Sequence, residues 1–202
     1  MSAIRNVVFD LGGVLFEWNP DAILARCYDD GARRATVKRA VFEHRDWLAL
    51  DRGTLSEAQA VDSFSRRTGL PSEDMQALME SVRHSLLPIA DSVELLQQLA
   101  ARAVPLYALS NMARPTFEFL HARYPFWSAF SGMVISWQVG FIKPEAAIFE
   151  HLLGSYRLDP AATLFIDDVA ANIEAARALG MQALQFRGAA DLRARLPRHL
   201  QF

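Results

Sequence analysis

Short apolar segments bounded by turn-forming or polar residues constrain the fold more than any other feature of this sequence. They place apolar residues at successive positions, without the alternation typical of a strand that has one exposed face. Such segments are typical of parallel strands, which are buried on both faces. We therefore predict four strands and a weaker fifth, over residues 6–10, 104–110, 132–136, 163–167 and 181–186.

Helical patterns separate the later strands. One helix is predicted over 92–100 with Ser92 as its N-cap, and a second is predicted to begin at Pro144 and to end before Gly154. A third covers 170–179, and Gly180 after it suits a left-handed C-cap. This alternation predicts a parallel sheet with helices on both faces, which is an α/β, Rossmann-like, doubly wound core.

The segment between the first two predicted strands interrupts the alternation. It contains helical patterns and no strand pattern, so we predict a helical bundle inserted directly after the first strand. The implied boundaries are a core from residues 1–16 and 89–202 and an inserted domain over 17–88. Its predicted helices cover 21–28, 32–42, 57–68 and 73–84, with Ser56 as the N-cap of the third and turns near 30–31, 52–53 and 69–71.

Polar residues follow three of the four clear strands, and the fourth leads into a loop that carries a lysine. In open α/β sheets, ligands bind beyond the carboxyl ends of the strands, so these side chains are expected to converge. Three carboxylates and an ammonium are costly to bury for structure alone, but a divalent cation and a phosphate would complete such a site. The residues are Asp10, Ser110, Asn111, Lys143, Asp167 and Asp168.

Composition excludes several classes of function. The 202 residues include 21 Lys and Arg against 23 Asp and Glu, so there is no cationic excess for binding nucleic acid. The single cysteine, Cys27, excludes an internal disulfide and a multi-cysteine zinc site, and we expect a small buried thiol on a helix. The sequence has no signal-peptide pattern and no apolar stretch of about 20 residues. We therefore expect a cytoplasmic protein that does not enter a membrane.

Four ordered motifs resemble those of the haloacid dehalogenase-like hydrolase superfamily, most of whose members are phosphatases with an aspartate nucleophile. The first is residues 9–15 and the second is Ser110-Asn111. The third is Lys143-Pro144 and the fourth is residues 165–172. They span nearly the whole chain in the expected order, and the helical insertion matches the helical cap of the family. Asp167-Asp168 alone would also fit an ordinary helix N-cap.

The resemblance implies a role for each matching residue. Asp10 is the expected nucleophile, which forms an aspartyl-phosphate that water hydrolyses. The expected Mg²⁺ ligands are Asp10, the backbone carbonyl of Gly12 and Asp168, with Asp167 as a further ligand or an acceptor behind them. Phosphate is expected to contact Ser110, the Asn111 backbone N–H and Lys143, and Asn172 to orient the acidic loop.

Gly12 departs from the pattern of the family. Most of its phosphatases carry a second aspartate at this position, which serves as the general acid for the leaving group. Its absence could lose roughly 10²–10⁴ in rate for a poor leaving group. The rate should therefore depend steeply on the acidity of the leaving group. With glycine here and a helical cap, the chain is similar to sugar-1-phosphate phosphatases and to the phosphatase-like domain of bifunctional epoxide hydrolases.

We therefore expect a Mg²⁺-dependent phosphatase that hydrolyses a small phosphorylated metabolite, a sugar phosphate in particular. One alternative is a metal-independent 2-haloacid dehalogenase in which Asp10 attacks carbon, although such enzymes lack the acidic pair at Asp167-Asp168. A second alternative is a catalytically weakened, phosphate-binding regulatory protein. The expected oligomeric state is a monomer or a homodimer.

Other residues favour structural roles. All five histidines are expected at the surface or at helix caps, although His44 could reach a substrate; the others are His84, His121, His151 and His199. Residues 43–48 and 51–53 are the candidates for substrate contact in the insertion, with Trp47 able to stack on a sugar and Trp18 more typical of packing. The aromatic group Phe126, Trp127 and Phe130 is expected in the core or at a small dimer contact.

Overall fold

A five-stranded parallel sheet forms the centre of the protein. The structure is a computed structural model in which residues 3–196 are described. The strand order is β3-β2-β1-β4-β5, which confirms the predicted doubly wound α/β class. All five predicted strands are present, with bounds that differ by at most two residues at either end. They are β1 (Asn6–Phe9), β2 (Leu106–Ser110), β3 (Gly132–Ile135), β4 (Thr163–Asp167) and β5 (Gln182–Gln185).

Side chains on opposite faces of the sheet pack into two separate clusters. Val7 and Phe9 of β1 belong to one cluster, and Val8 between them belongs to the other. Because successive side chains of a strand point to opposite faces, apolar residues at consecutive positions fill both clusters. Phe126 and Trp127 are buried in the first cluster with Phe130 packed against it, so the core interpretation of this aromatic group is correct.

Among residues 3–196, six α-helices belong to the core. They are α6 (Ala90–Ala101), α7 (Arg114–Arg123), α8 (Ser136–Val139), α9 (Ala146–Tyr156), α10 (Ala170–Ala178) and α11 (Ala189–Arg195). Two details of the prediction are wrong. Ser92 lies inside α6 rather than at its N-cap, because the helix begins two residues earlier and Ile89 takes the cap position. The helix predicted to end before Gly154 continues to Tyr156, whose hydroxyl contacts the backbone of Met133 in β3.

Five helices between β1 and α6 form a third apolar cluster of their own. Four of the five were predicted. The capping box at Ser56 and Gln59 confirms the predicted start of the helix at 57–68, which is the fourth helix of the structure. The third helix was missed. The predicted division into a core from residues 1–16 and 89–202 and an inserted domain over 17–88 stays a prediction. The helices are α1 (Pro20–Cys27), α2 (Gly31–Ala40), α3 (Arg45–Arg52), α4 (Glu57–Thr68) and α5 (Ser72–Ser85).

Helix α3 connects this helical segment to the sheet. The Ser136 hydroxyl donates to the backbone carbonyl of Asp51 at 2.5 Å. The Arg52 guanidinium donates to Glu145 at 2.9 Å and to the Gly140 carbonyl at 3.0 Å. Gly53 allows the close contact, since a Cβ there would lie 2.8 Å from the backbone oxygen of Trp137. The end of α3 is therefore held against α8 and the loop that follows α8.

Within residues 3–196, no helix combines the length and the apolar character that a membrane span requires. His199 lies outside the described residues, so its predicted surface position stays a prediction.

Candidate active site

Asp10 lies immediately after β1, at the centre of the sheet. Its backbone N–H donates to the Ile166 carbonyl of β4 at 2.9 Å, so the residue is still anchored to the neighbouring strand. Its Oδ1 accepts from the Leu11 backbone N–H at 2.7 Å. Within the described part of the chain, no hydrogen bond reaches Oδ2. One oxygen of Asp10 is therefore fixed, and the other is available to a ligand.

Lys143 is buried between two carboxylates. Its Nζ lies 2.7 Å from Asp10 Oδ1 and 2.7 Å from Asp167 Oδ2. The side chain of Asn111 fixes the loop beneath it. The Asn111 amide donates to the Lys143 carbonyl at 2.9 Å, and the Lys143 N–H donates to the Asn111 oxygen at 2.7 Å. The contact between Asn111 and Lys143, which are 32 positions apart, thus holds the Lys143 ammonium beside the end of β1.

Asp167 is completely buried and fully hydrogen-bonded. Its Oδ1 accepts from the Val169 backbone N–H at 2.8 Å, and both oxygens accept from the Asn172 amide at 3.0 Å. Lys143 takes the remaining position on Oδ2. These contacts favour Asp167 as an acceptor behind the ligands rather than as a ligand, and Asn172 orients it as expected.

Asp168 reaches from the acidic loop toward the turn after β1. The carboxylate lies directly over Gly13, where a Cβ would be 2.5 Å from Asp168 Oδ2. Gly13 also has a φ of +74°, so this position needs glycine for two reasons. Gly12 differs, because a Cβ there would meet Trp18 at an ordinary distance of 3.8 Å. Close approach of the backbone therefore explains Gly13 but not Gly12.

Burial and charge shift the pKa values of the site in consistent directions. Burial raises the pKa of Asp10 to about 7, and Asp167 adds to the rise while Lys143 opposes it. Burial also raises the pKa of Asp168, again with a contribution from Asp167. Burial lowers the pKa of Lys143, but the two carboxylates outweigh it, so the net shift is upward and Lys143 stays charged. The carboxylates exceed the cationic charge within reach of them.

A divalent cation would balance this excess of negative charge. Oxygens of Asp10, Asp167 and Asp168 lie within 4.8 Å of one another, and hard carboxylate oxygens are the ligands that Mg²⁺ prefers. Asp10 and Asp168 both line the crevice, whereas both Asp167 oxygens are already hydrogen-bonded. The donor set thus suits Mg²⁺ held by Asp10 and Asp168, with Asp167 supporting Lys143.

Ser110 and Asn111 line the same crevice, next to Asp10 and Lys143. Ser110 is buried at the end of β2, and Asn111 follows it in the loop that leads to α7. All seven predicted site residues, Asp10, Gly12, Ser110, Asn111, Lys143, Asp167 and Asp168, thus gather beyond the carboxyl ends of β1, β2 and β4. What the sequence did not indicate is that the Asn111 side chain holds the Lys143 peptide.

The helical segment forms the opposite wall of a crevice of about 180 Å³. Trp18 and Trp47 lie there with their ring centroids 5.8 Å apart, so both pack together and also face the crevice. Of the predicted candidates for substrate contact, Trp47 and Asp51 line it. His44 instead caps α3 by accepting from the Asp46 N–H. Cys27 is half-buried at the end of α1 rather than fully buried, and it forms no part of the crevice.

The fold and the site define a class of protein, a parallel α/β enzyme whose ionised groups converge beyond the strand ends. The model of the haloacid dehalogenase-like hydrolase family matches residues 4–180. The chain therefore belongs to this family.

Proteins similar to this chain include phosphatases. It is 28% identical over 183 residues to a sesquiterpene phosphatase of Aspergillus oryzae, covering 91% of this chain and 90% of that protein. It is 26% identical over 207 residues to a D-ribitol-5-phosphate phosphatase of Bacteroides thetaiotaomicron, covering 96% and 97%. A crystal structure of a haloacid dehalogenase family enzyme from the same bacterium, in complex with magnesium and inorganic phosphate, superposes with a TM-score of 0.70. That enzyme is 21% identical, with 90% and 93% of the two chains covered, so the likeness supports the fold alone.

Proposed function

We propose that this protein is a Mg²⁺-dependent phosphatase that hydrolyses small phosphomonoesters, with Asp10 as its nucleophile. The observation that carries the proposal is the environment of Asp10. One of its oxygens is fixed by Leu11 N–H and Lys143, while the other is unbonded within the described residues, and Asp168 lines the same crevice. A carboxylate that is anchored, partly neutralised and open on one side is suited to attack at phosphorus.

The surrounding residues supply the rest of the chemistry. Asp10 forms a bond to phosphorus as the ester oxygen leaves, and water then hydrolyses the aspartyl-phosphate. Lys143 favours the ionised form of Asp10 and offsets phosphate charge. Ser110 and the Asn111 backbone N–H would bind phosphoryl oxygens. Mg²⁺ bound by Asp10, Asp168 and the Gly12 carbonyl would neutralise charge on the phosphoryl group.

The residues that line the crevice indicate the substrate class better than the family resemblance does. A sugar phosphate, as expected from the sequence, needs hydrogen-bonding groups around its hydroxyls. The helical wall instead contributes Trp18, Trp47, Leu50, Asp51, Met79, Val82 and Leu86, all but one of them apolar or aromatic. Such a wall favours the monophosphate of an apolar or aromatic alcohol, and one relative named above is a sesquiterpene phosphatase.

Two other functions remain as alternatives. In a metal-independent 2-haloacid dehalogenase, three carboxylates within 4.8 Å would repel one another with only Lys143 to offset them, which counts against that function. Halide release from 2-chloropropionate without metal would support it. In a phosphate-binding regulatory protein, Mg²⁺ or phosphate would raise the melting temperature although no phosphoester is hydrolysed.

Hydrolysis of p-nitrophenyl phosphate with and without Mg²⁺ tests the proposed reaction. We expect activity that EDTA abolishes and that falls by at least about 10⁴-fold in Asp10→Asn, because the nucleophile is lost. Glu118→Gln, an exposed carboxylate on α7, is the matched control and should retain activity. Activity that survives Asp10→Asn or chelation would refute the proposal.

A panel of phosphomonoesters tests the substrate class. If the apolar wall selects the substrate, kcat/KM for benzyl and isoprenyl monophosphates should exceed that for sugar phosphates, and Trp47→Ala should reduce the difference. A preference for sugar phosphates that Trp47→Ala leaves unchanged would favour the substrate expected from the sequence.

A further inference from the structure

The proposed reaction needs a proton donor, and the position after β1 that would supply one on the core side is Gly12. When an alkyl phosphate is cleaved, the leaving oxygen needs a proton. Most phosphatases of the family that this chain resembles carry an aspartate for this purpose at the position of Gly12. Two polar groups near Asp10 that could donate a proton or a hydrogen bond are already engaged. Lys143 bridges Asp10 and Asp167, and the Asn172 amide is bonded to both Asp167 oxygens. A carboxyl group on the helical wall could serve as the donor instead.

Asp51 is such a group. It lies in the last turn of α3, it is only 9% exposed, and it lines the same crevice as Asp10 and Lys143. Among the described residues, it is the one ionisable side chain that the helical wall contributes to this crevice. A carboxyl buried in an otherwise apolar wall is costly unless it has a function or a partner.

The position of Asp51 is fixed by contacts with the core. Its backbone carbonyl accepts from the Ser136 hydroxyl, and the same hydroxyl accepts from the Met112 N–H at 2.9 Å. The backbone N–H of Ala113 interacts with its side chain. Because α8 and the loop after β2 hold the Asp51 backbone and Ala113 N–H contacts its side chain, the carboxyl is kept on the helical side of the crevice that Asp10 also lines.

The surroundings of Asp51 also keep a proton available. Burial raises the pKa of its carboxyl to about 7, with the Asp10 charge adding to the rise while the Ala113 N–H and Lys143 oppose it. A carboxyl group with a pKa near the working pH can both donate and regain a proton.

We propose that Asp51 is the general acid of this enzyme, supplied by the helical wall in place of the residue missing at Gly12. This inference rests on the proposed phosphatase function. As Asp10 forms its bond to phosphorus and the bond from phosphorus to the ester oxygen breaks, the Asp51 proton moves to that oxygen and the alcohol leaves. Water then attacks phosphorus, the bond to Asp10 breaks, and the proton released by water returns to Asp51.

The inference changes the expected response to the leaving group. Without a donor, the rate depends steeply on leaving-group acidity, as Gly12 alone predicts. With Asp51 as donor, the wild type should show a shallow dependence. The decisive quantity is the ratio of kcat/KM for p-nitrophenyl phosphate to kcat/KM for an alkyl phosphate, since kcat/KM reports the steps up to departure of the leaving group.

Asp51→Asn is the informative variant because asparagine retains the shape and can still accept from Ala113 N–H, but it has no acidic proton. We expect the ratio to rise by about 10²–10⁴-fold. Asp46→Asn, a carboxylate of the same helix that bonds Ser63, is the matched control and should leave the ratio unchanged. An unchanged ratio in a folded Asp51→Asn enzyme, shown by its melting temperature, would overturn the inference.

A second variant separates proton donation from structure. Gly12 has room for a side chain, so Gly12→Asp in the Asp51→Asn background places a carboxyl on the core side and should lower the ratio again. A double variant that hydrolyses the aryl ester but keeps the high ratio would count against proton transfer as the lost function. If the wild type hydrolyses no phosphoester, the proposed function fails; if only the ratio fails to move, this inference alone fails.

Discussion

The two walls of the crevice are built on opposite principles. The core wall holds charged groups close together, with Lys143 paired to both Asp10 and Asp167. The helical wall is apolar and aromatic, with Asp51 as its exception. The difference indicates that the core carries out the chemistry and that the helical wall selects what is attached to the phosphate. Asp51 is informative because it lies on the helical wall and yet is the proposed general acid.

The sequence has two lysines, and replacing each of them tests this contrast between the walls. The replacement of Lys143 should have the largest effect on stability and activity of all the variants compared below. Lys143→Met removes the partner of two buried carboxylates, which we expect to lower the free energy of unfolding by about 3–5 kcal/mol. Activity should fall by about 10²–10³-fold or more, because charge at phosphorus loses a fixed cation. Urea unfolding and p-nitrophenyl phosphate assays measure the two effects.

Lys38→Met is the control for that variant. Lys38 pairs with Asp21 on the outside of the helical segment, where solvent screens the interaction. Stability and activity should both stay nearly unchanged. Equal effects of the two substitutions would mean that the charges of the core wall are not specially coupled.

Two carboxylates of α3 should show opposite dependence of stability on pH. The raised pKa of Asp51 means that the folded state keeps a proton which the unfolded chain loses near pH 4. Its stabilising contribution is therefore complete below about pH 4 and is lost as the pH rises to about 7. Relative to Asp51→Asn, the wild type should lose on the order of 2–4 kcal/mol over this range, measured by urea unfolding without Mg²⁺.

Asp46 provides the comparison on the same helix. Hydrogen bonds from Ser63 and Arg67 lower its pKa, so its contribution is present at neutral pH and is lost as the pH falls through its folded-state pKa. The advantage of the wild type over Asp46→Asn should therefore shrink on acidification. Parallel pH profiles for the two variants would contradict the contrast between a buried and a paired carboxylate.

Mg²⁺ should act on the core wall alone. At a concentration 100 times the Kd, binding to the folded state stabilises by about 2.7 kcal/mol. Asp168→Asn should weaken the affinity by about tenfold or more, or about 1.4 kcal/mol, because it removes a charged ligand of the proposed metal site. Melting curves over a Mg²⁺ titration measure this without catalysis. Asp51→Asn should keep the Mg²⁺ effect, and a loss there would place Asp51 among the ligands.

The sequence predicts the core wall better than the helical wall. Strands that are apolar on both faces and polar at their ends follow from local composition, and the order of the motifs brings Asp10, Lys143 and Asp168 to one place. Helix α3 was missed because its N-cap is His44, an uncommon capping residue.

Contacts between distant residues explain what the sequence could not predict. The burial of Asp51 depends on Ser136, 85 positions away, and the Asn111 side chain bonds to a backbone 32 positions away. No spacing rule encodes either contact. The Ser92 hydroxyl, expected to cap a helix, is instead buried without a hydrogen-bond partner among the described residues, because α6 begins one half-turn earlier.

The smallest effect concerns the contact that joins the two walls. Arg52 bonds to Glu145 and to the Gly140 carbonyl, on the loop that carries Lys143. Both side chains are partly exposed, so Arg52→Ala should cost about 0.2–1 kcal/mol, which corresponds to at most about a fivefold change in kcat/KM. Because the contact orients the helical wall and does not touch the reacting atoms, we expect KM to rise while kcat changes less. Arg66→Ala, which removes an exposed pair within α4, is the control. A fall in kcat as large as that of Lys143→Met would show that selection and chemistry are not divided between the walls.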